Sequence, residues 1–284
     1  MQFQISISKL LFISGVCVLF AYSYWYERSE VQSSWSLPKG FHPLTRGDND
    51  WINHSCLSPI PDPILGANDF SRIINMGMPK AGTRSLTKIF DKSSNFNDSA
   101  SHWTCTGNKG YCGVCIKEKI IAARENNNST SDNMQQNNIF SSCGDHKVFG
   151  QMDYVMDGTC VFPQIDYLEE LYQDAPNATW ILPFSNTIDW LRSVTTCKSS
   201  NKAPMASRFV DICGWEEFHL RNPKRQEDVD QFICNHVKSV RKFVKNHPSL
   251  SLVEYDIKDK NVGEILENVF PFLDGSKWDE PSKC

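Results

Sequence analysis

Apolar side chains run almost unbroken from Leu10 to Tyr26, LLFISGVCVLFAYSYWY, and the chain has no second stretch like it. As a helix, these 17 residues reach about 26 Å at ~1.5 Å per residue. That is the thickness of a thin early-secretory bilayer, roughly 27 Å. Lys9 precedes the stretch, and Tyr22, Tyr24, Trp25 and Tyr26 close it with side chains suited to a membrane–water interface. Ala21-Tyr22-Ser23 is a poor signal-peptidase site. The segment 10–26 therefore reads as an uncleaved transmembrane signal anchor, with 1–9 as a cytoplasmic tail and the remainder luminal. Secretion after signal cleavage is the competing reading.

Beyond the anchor the pattern changes twice. Residues 27–70 lack periodicity and are punctuated by Pro38, Pro43, Pro59, Pro61 and Pro63, which reads as a stem. From 71 to 284 short apolar runs alternate with helical spacings. Arg72 to Met78 and Lys147 to Met152 read as strands, as do Thr179 to Leu182 and Leu252 to Ile257. Helices are expected over Thr83 to Phe90, at Ile165, Leu168, Leu171 and Tyr172, and at Ile188, Leu191 and Val194 behind a cap at Asn186 or Thr187. Two more follow, at Phe232, Ile233, Val237, Val240 and Val244 and at Val262, Ile265, Leu266 and Val269. Residues 101–146 read as a cysteine- and Asn-rich insertion, and 195–228 as irregular. The alternation predicts an α/β domain: a parallel sheet with helices on both faces.

Composition narrows the picture. The chain has 284 residues, and its net charge of −4 excludes a general nucleic-acid footprint. Setting aside Cys17 in the anchor leaves ten of the 11 cysteines, an even number that fits disulfides in an oxidising lumen. Zinc at Cys105, Cys112, Cys115 and Cys143 is the weaker alternative. Sequons at Asn53, Asn97, Asn127, Asn128 and Asn177 agree with a luminal, glycosylated body.

The chemistry concentrates in Met76 to Leu86, MGMPKAGTRSL, between a strand and a helix. Gly77 and Gly82 lie five apart, as in a nucleotide-binding loop, and amides at a helix start attract anions. A Walker A motif needs Lys and Ser/Thr directly after the second glycine; here Thr83, Arg84 and Ser85 follow and Lys80 sits inside the loop. That disfavours a P-loop kinase working with Mg-ATP. P-K-x-G-T-x-S-L after a strand resembles the phosphosulfate loop of sulfotransferases that use 3′-phosphoadenosine 5′-phosphosulfate (PAPS). A second segment, Trp180 to Ser193, is similar to that family's 3′-phosphate site. Ser193 matches its serine, but Ser185 stands where an arginine is expected, and Arg192 is the nearest substitute. The resemblance runs from about 71 to 275 and looks closest to algal-type, membrane-anchored sulfotransferase-like proteins.

The resemblance implies a P-loop fold and sulfuryl transfer from PAPS, without a metal, to an acceptor hydroxyl. With the anchor, it implies a Golgi enzyme acting on a carbohydrate, while a protein tyrosine or a small-molecule acceptor fits the same loop. Lys80 is implied to neutralise the leaving oxygen, and Ala81, Gly82, Thr83, Arg84 and Ser85 to hold the 5′-phosphate. Ser185, Arg192 and Ser193 then fall at the 3′-phosphate. Asp153, in GQMDY, is the first candidate for the base, and His102 the second. Trp103, Trp180, Trp190 and Trp215 are core residues or stacking platforms for a sugar or adenine. A degenerate member that binds without turnover and a structural glycoprotein remain the alternatives.

Overall fold

The computed structural model of the chain describes Cys56, Ser58, Pro59, Pro63 and residues 70–93, 100–105, 110–127, 138–196, 203–218 and 225–281. The expected tail, the anchor over 10–26 and nearly all of the stem lie outside them. Among the described residues no helix is long and apolar enough to cross a membrane.

The strands are β1 (Ile73–Asn75), β2 (Ala100–Ser101), β3 (Val148–Phe149), β4 (Tyr154–Met156), β5 (Thr159–Val161), β6 (Thr179–Phe184) and β7 (Ser251–Asp256). Five of them make one sheet in the order β2-β3-β1-β6-β7. Every pairing in it is parallel, with Ile74 opposite Phe149 and Trp180, and Ile181 opposite Asn75 and Val253. β4 and β5 leave the sheet as an antiparallel hairpin, turned by Asp157 and Gly158, both at positive φ.

The helices are α1 (Thr83–Lys92), α2 (Cys112–Asn127), α3 (Ile139–Ser142), α4 (Pro163–Asp166), α5 (Leu168–Asp174), α6 (Thr187–Thr196), α7 (Met205–Cys213), α8 (Arg225–Asn246) and α9 (Val262–Val269). They cover the sheet because successive strand residues point to opposite faces. Ile73, Val148, Ile181 and Val253 pack with Leu86, Ile89 and Phe90 of α1 and Val262 and Leu266 of α9. Ile74, Phe149, Trp180 and Leu252 pack on the other side with Phe140, Trp190, Phe209 and Val240. Each such buried side chain contributes about 1.5–3 kcal/mol by leaving water.

Four expectations are corrected. Residues 101–146 are not only an insertion: Ser101 belongs to the sheet's edge strand, and α2 spans 16 residues. Its buried stripe is Cys112, Cys115, Ile116 and Ile120, a helical spacing in which two of four positions are cysteines. The stretch 195–228 contains α7, a 3₁₀ turn at Glu216–Phe218 and the start of α8. In α6 the inward face is Thr187, Trp190 and Val194, whereas Ile188 is 57% exposed. The helix expected around Leu168 is broken at Tyr167 into α4 and α5. The remaining helices and the cap at Asn186, whose Oδ1 accepts from the Asp189 amide at 2.9 Å, fall as expected.

Among the described residues eight cysteines form four disulfides: Cys56–Cys234, Cys105–Cys112, Cys115–Cys143 and Cys160–Cys213. This settles the four-cysteine cluster against zinc, since its sulfurs are consumed in pairs. Cys17, Cys197 and Cys284 lie outside the described residues.

Candidate active site

Strand order reverses direction at β1, which has β3 on one side and β6 on the other. In open parallel sheets ligands bind beyond the carboxyl ends of the strands at such a point. There β1 leads into Met76 to Gly82, β2 into His102, β3 into Gln151 and Asp153, and β6 into Ser185. One sheet edge thus gathers four sequence-distant segments.

The loop is shaped by its backbone. Lys80 (φ 68°) and Gly82 (φ 76°) are both left-handed, which costs a non-glycine residue about 1–2 kcal/mol. Gly82 caps α1 without any side-chain cap bond, and the first turn carries no acid. The opening amides of α1 are therefore left for an anion, with the exposed cations Lys80 and Arg84 beside them. Gly77 is required for a different reason: a Cβ there would lie 2.6 Å from Cγ of Pro183. Pro183 is tolerated in β6 because β1 pairs with that strand only as far as Ile181.

Buried polar side chains brace the loop from below. His236 Nε2 lies 2.6 Å from the Met76 carbonyl. Asn75 Oδ1 accepts from the Gly77 amide at 2.8 Å while its Nδ2 donates to the Gly150 carbonyl at 2.7 Å. The Trp190 indole donates to the Pro79 carbonyl at 2.7 Å. Burial holds the His236 imidazole below its ordinary pKa, so it is neutral there and its Nε2–H is the donor.

Over the loop, Thr83, His102, Gln151 and Asp153 form a connected set. Thr83 Oγ1 is 3.3 Å from His102 Nε2 and 3.2 Å from Gln151 Oε1. Gln151 Nε2 donates to Asp153 Oδ2 at 3.0 Å. Asp153 is 2% exposed. Burial pushes its carboxyl up to about 6, opposed by the Gln151 hydrogen bond and by the charges of Arg208 and Lys80. Burial, then Arg84 and Lys80, hold His102 down to about 4. Desolvation by the surrounding loop and the charges of Arg84 and Arg208 lower Lys80, with Asp153 opposing.

Of the sequence candidates, the fold brings together Lys80, Thr83, Arg84, His102 and Asp153; Ala81 and Ser85 are buried in the same loop and first turn. Ser185 lies in the β6–α6 connection, whereas Arg192 and Ser193 lie on the second turn of α6. Arg192 is exposed and paired with Asp189 at 3.2 Å, and Lys258 pairs with the same carboxylate. Among the tryptophans, Trp180 and Trp190 are core, and Trp215 packs on Phe162. Trp103 is half-buried, 4.9 Å from Tyr111 between ring centroids, and its indole donates to the Asp153 carbonyl at 3.2 Å.

Sequence reasoning missed Gln151 and Arg208. Arg208, which donates to the Val155 carbonyl at 2.7 Å, lies on α7. The signal was present: Pro204 followed by Met205, Ala206, Phe209 and Cys213 at helical spacing. No curated protein and no solved structure matches the chain. A family model described as a sulfotransferase domain matches residues 72–274, which takes in the loop, the four strand ends and α1 to α9. The chain therefore belongs to the sulfotransferase-domain family.

Proposed function

We propose that this protein transfers the sulfuryl group of PAPS to a carbohydrate hydroxyl in the secretory lumen, anchored by residues 10–26. The observation that carries the reading is the uncapped, cation-flanked start of α1 lying beside a buried carboxylate at one sheet edge. The loop suits a phosphosulfate: α1 offers free amides, Lys80 and Arg84 supply charge, and no acid stands in the first turn.

In this reading Gly82, Thr83, Arg84 and Ser85, with the Ala81 backbone, hold the 5′-phosphate. Transfer breaks the S–O bond to that phosphate and forms one to the acceptor oxygen. Lys80 neutralises the oxygen that keeps the electron pair, and Asp153 takes the acceptor proton. Asp153 is preferred to His102 as the base because, at about 6 against about 4, it is the stronger base and still ionised at neutral pH. Ser185, Ser193 and Arg192, with Lys258 beside them, serve the 3′-phosphate. The Trp103–Tyr111 pair next to Asp153 supports a sugar acceptor, since aromatic faces stack on pyranose rings. Four disulfides support a luminal body.

Ser185 favours a second reading, in which the chain binds nucleotide or glycan without turnover. A neutral hydroxyl replaces a bidentate charged contact. Calorimetric titration of the full chain with 3′-phosphoadenosine 5′-phosphate, against AMP and Mg-ATP, tests the cofactor site. Selective binding of the bisphosphate, weakened in Lys80→Ala, supports it. No binding by the folded protein removes the catalytic roles assigned above.

A further inference from the structure

The four-residue chain over the loop has a direction that the chemistry of its groups dictates. An ionised carboxylate only accepts hydrogen bonds. With Asp153 ionised, Gln151 must therefore turn its NH₂ toward Oδ2, the 3.0 Å contact. Its carbonyl oxygen then faces Thr83 at 3.2 Å and obliges that hydroxyl to donate. Thr83 has one proton, so toward His102, 3.3 Å away, its oxygen must accept. His102, neutral, must then carry its proton on Nε2. The state of one carboxylate is thereby written into a hydroxyl of the anion loop and a tautomer two elements away.

We propose that Gln151 is a positioning residue: its amide couples the ionised form of Asp153 to the direction of the Thr83 hydroxyl in the anion loop. With the loop empty, the Thr83 proton is committed to Gln151 and Asp153 is held as a carboxylate. An anion that takes the Thr83 proton withdraws it from Gln151 and loosens the amide on Asp153. Binding in the loop is thus felt by the proton acceptor through one side chain. The proposal rests on the sulfotransferase reading for the identity of the anion and the role of Asp153. The hydrogen-bond chain itself does not. The charges facing the set are Lys80, Arg84 and Arg208, the last on α7, with His102 on the β2 side.

The test is a nitrogen-15 spectrum of the histidine-labelled full chain, with His102 assigned by His102→Asn. At pH above 7, His102 is expected as the Nε2–H tautomer. An Nδ1–H tautomer in the unaltered protein reverses the chain and overturns the proposal. Gln151→Leu is expected to lower the His102 Nε2–H population toward that of a free imidazole and, in a parallel carbon-13 spectrum of the aspartate-labelled chain, to move the Asp153 carboxyl titration upward from about 6, because the hydrogen bond favouring the charged form is gone. His236, held by Met76 on the other side of the loop, keeps its signal if the variant is folded. Should Gln151→Leu not fold, Thr83→Val breaks the same chain without touching the amide, and a His102 Nε2–H population left at its wild-type value overturns the proposal. Adding 3′-phosphoadenosine 5′-phosphate is expected to shift both His102 and Asp153. Binding that leaves both unmoved overturns the coupling while the sulfotransferase reading stands. No binding, with the tautomer as expected, removes the reading and leaves the chain intact.

Discussion

The indole of Trp190 donates a buried hydrogen bond of 2.7 Å to the carbonyl of Pro79, the residue before Lys80. A helix that begins after β6 thus holds the loop that follows β1. Trp190→Phe keeps most of the packing but leaves that carbonyl without its donor, at a cost of about 1–3 kcal/mol. The variant is expected to lose stability in urea by that amount. Its affinity for 3′-phosphoadenosine 5′-phosphate should fall by calorimetry, because the loop it held is the binding loop.

Lys80 occupies a left-handed conformation (φ 68°) that glycine adopts without strain. Lys80→Gly is expected to raise unfolding stability by about 1 kcal/mol while reducing turnover about 10²–10³-fold, the usual cost of removing one transition-state contact. Denaturation and rate measurements on the same preparation check both signs. A variant that is less stable and equally active would remove the role assigned to the lysine.

The pH dependence of activity follows from the two groups in the proposed step. Asp153 must be ionised, so kcat/KM is expected to rise with pH through about 6. Lys80 must be charged, so activity falls on the alkaline side at a pH below the ordinary lysine value of 10.5. Asp153→Asn should abolish the acid limb together with the activity.

Stability responds to the same burial with opposite signs. The folded state holds the Asp153 proton more tightly than the unfolded chain does, so this group lowers stability as pH rises from 3.8 to about 6. His102 is held neutral, so its contribution is present above 6.5 and is lost as pH falls toward about 4. The two nearly offset each other in wild type. In Asp153→Asn only the histidine effect remains, and urea denaturation across that range should show stability climbing more steeply with pH.

Ser185→Arg restores the charge that the family resemblance leads one to expect at the end of β6. If Ser193, Arg192 and Lys258 already hold the 3′-phosphate, the variant tightens bisphosphate binding only slightly. A large gain in affinity without turnover favours the binding-only reading. Calorimetry paired with a sulfuryl-transfer assay distinguishes the two.

The Cys160–Cys213 bridge ties the last residue of α7 to the hairpin strand β5. Arg208 lies on that helix and bonds to β4. The double variant Cys160→Ala, Cys213→Ala is expected to lose about 2–4 kcal/mol of stability. Because Arg208 moves with the helix, bisphosphate affinity should weaken beyond the loss seen on opening Cys115–Cys143.

Much of this was legible along the chain. The loop from Met76 to Ser85 announced itself through glycine spacing, its position after an apolar run and its cations. The pairing of Ala100 and Ser101 with β3 is what puts His102 at a strand end; Asp153, just after the apolar run of β3, was legible. Gln151 was not, since a neutral amide carries no signal of its own; its importance lies in having Thr83 on one side and Asp153 on the other. Arg208 was hidden in a stretch whose helical stripe is short and ends in cysteine. The hairpin turn at Asp157-Gly158 is a strong local signal, but the strands it joins have three residues each, too few to show a period of their own.

What the sequence by itself determined is whatever depends on near neighbours. Alternating strand faces, helical stripes, the cap at Asn186 and the left-handed glycine before α1 are local consequences of side-chain shape and backbone freedom. The tertiary structure decided what depends on distance in space across distance in sequence. It chose the disulfide partners, put Trp190 under Pro79, and set the order of strands that makes β1 the switch point. It also buried Asp153 and His102 so that their proton affinities exchange order. Desolvation and hydrogen-bond direction belong to an enclosed volume, and no linear pattern of residues specifies which side chains will enclose it.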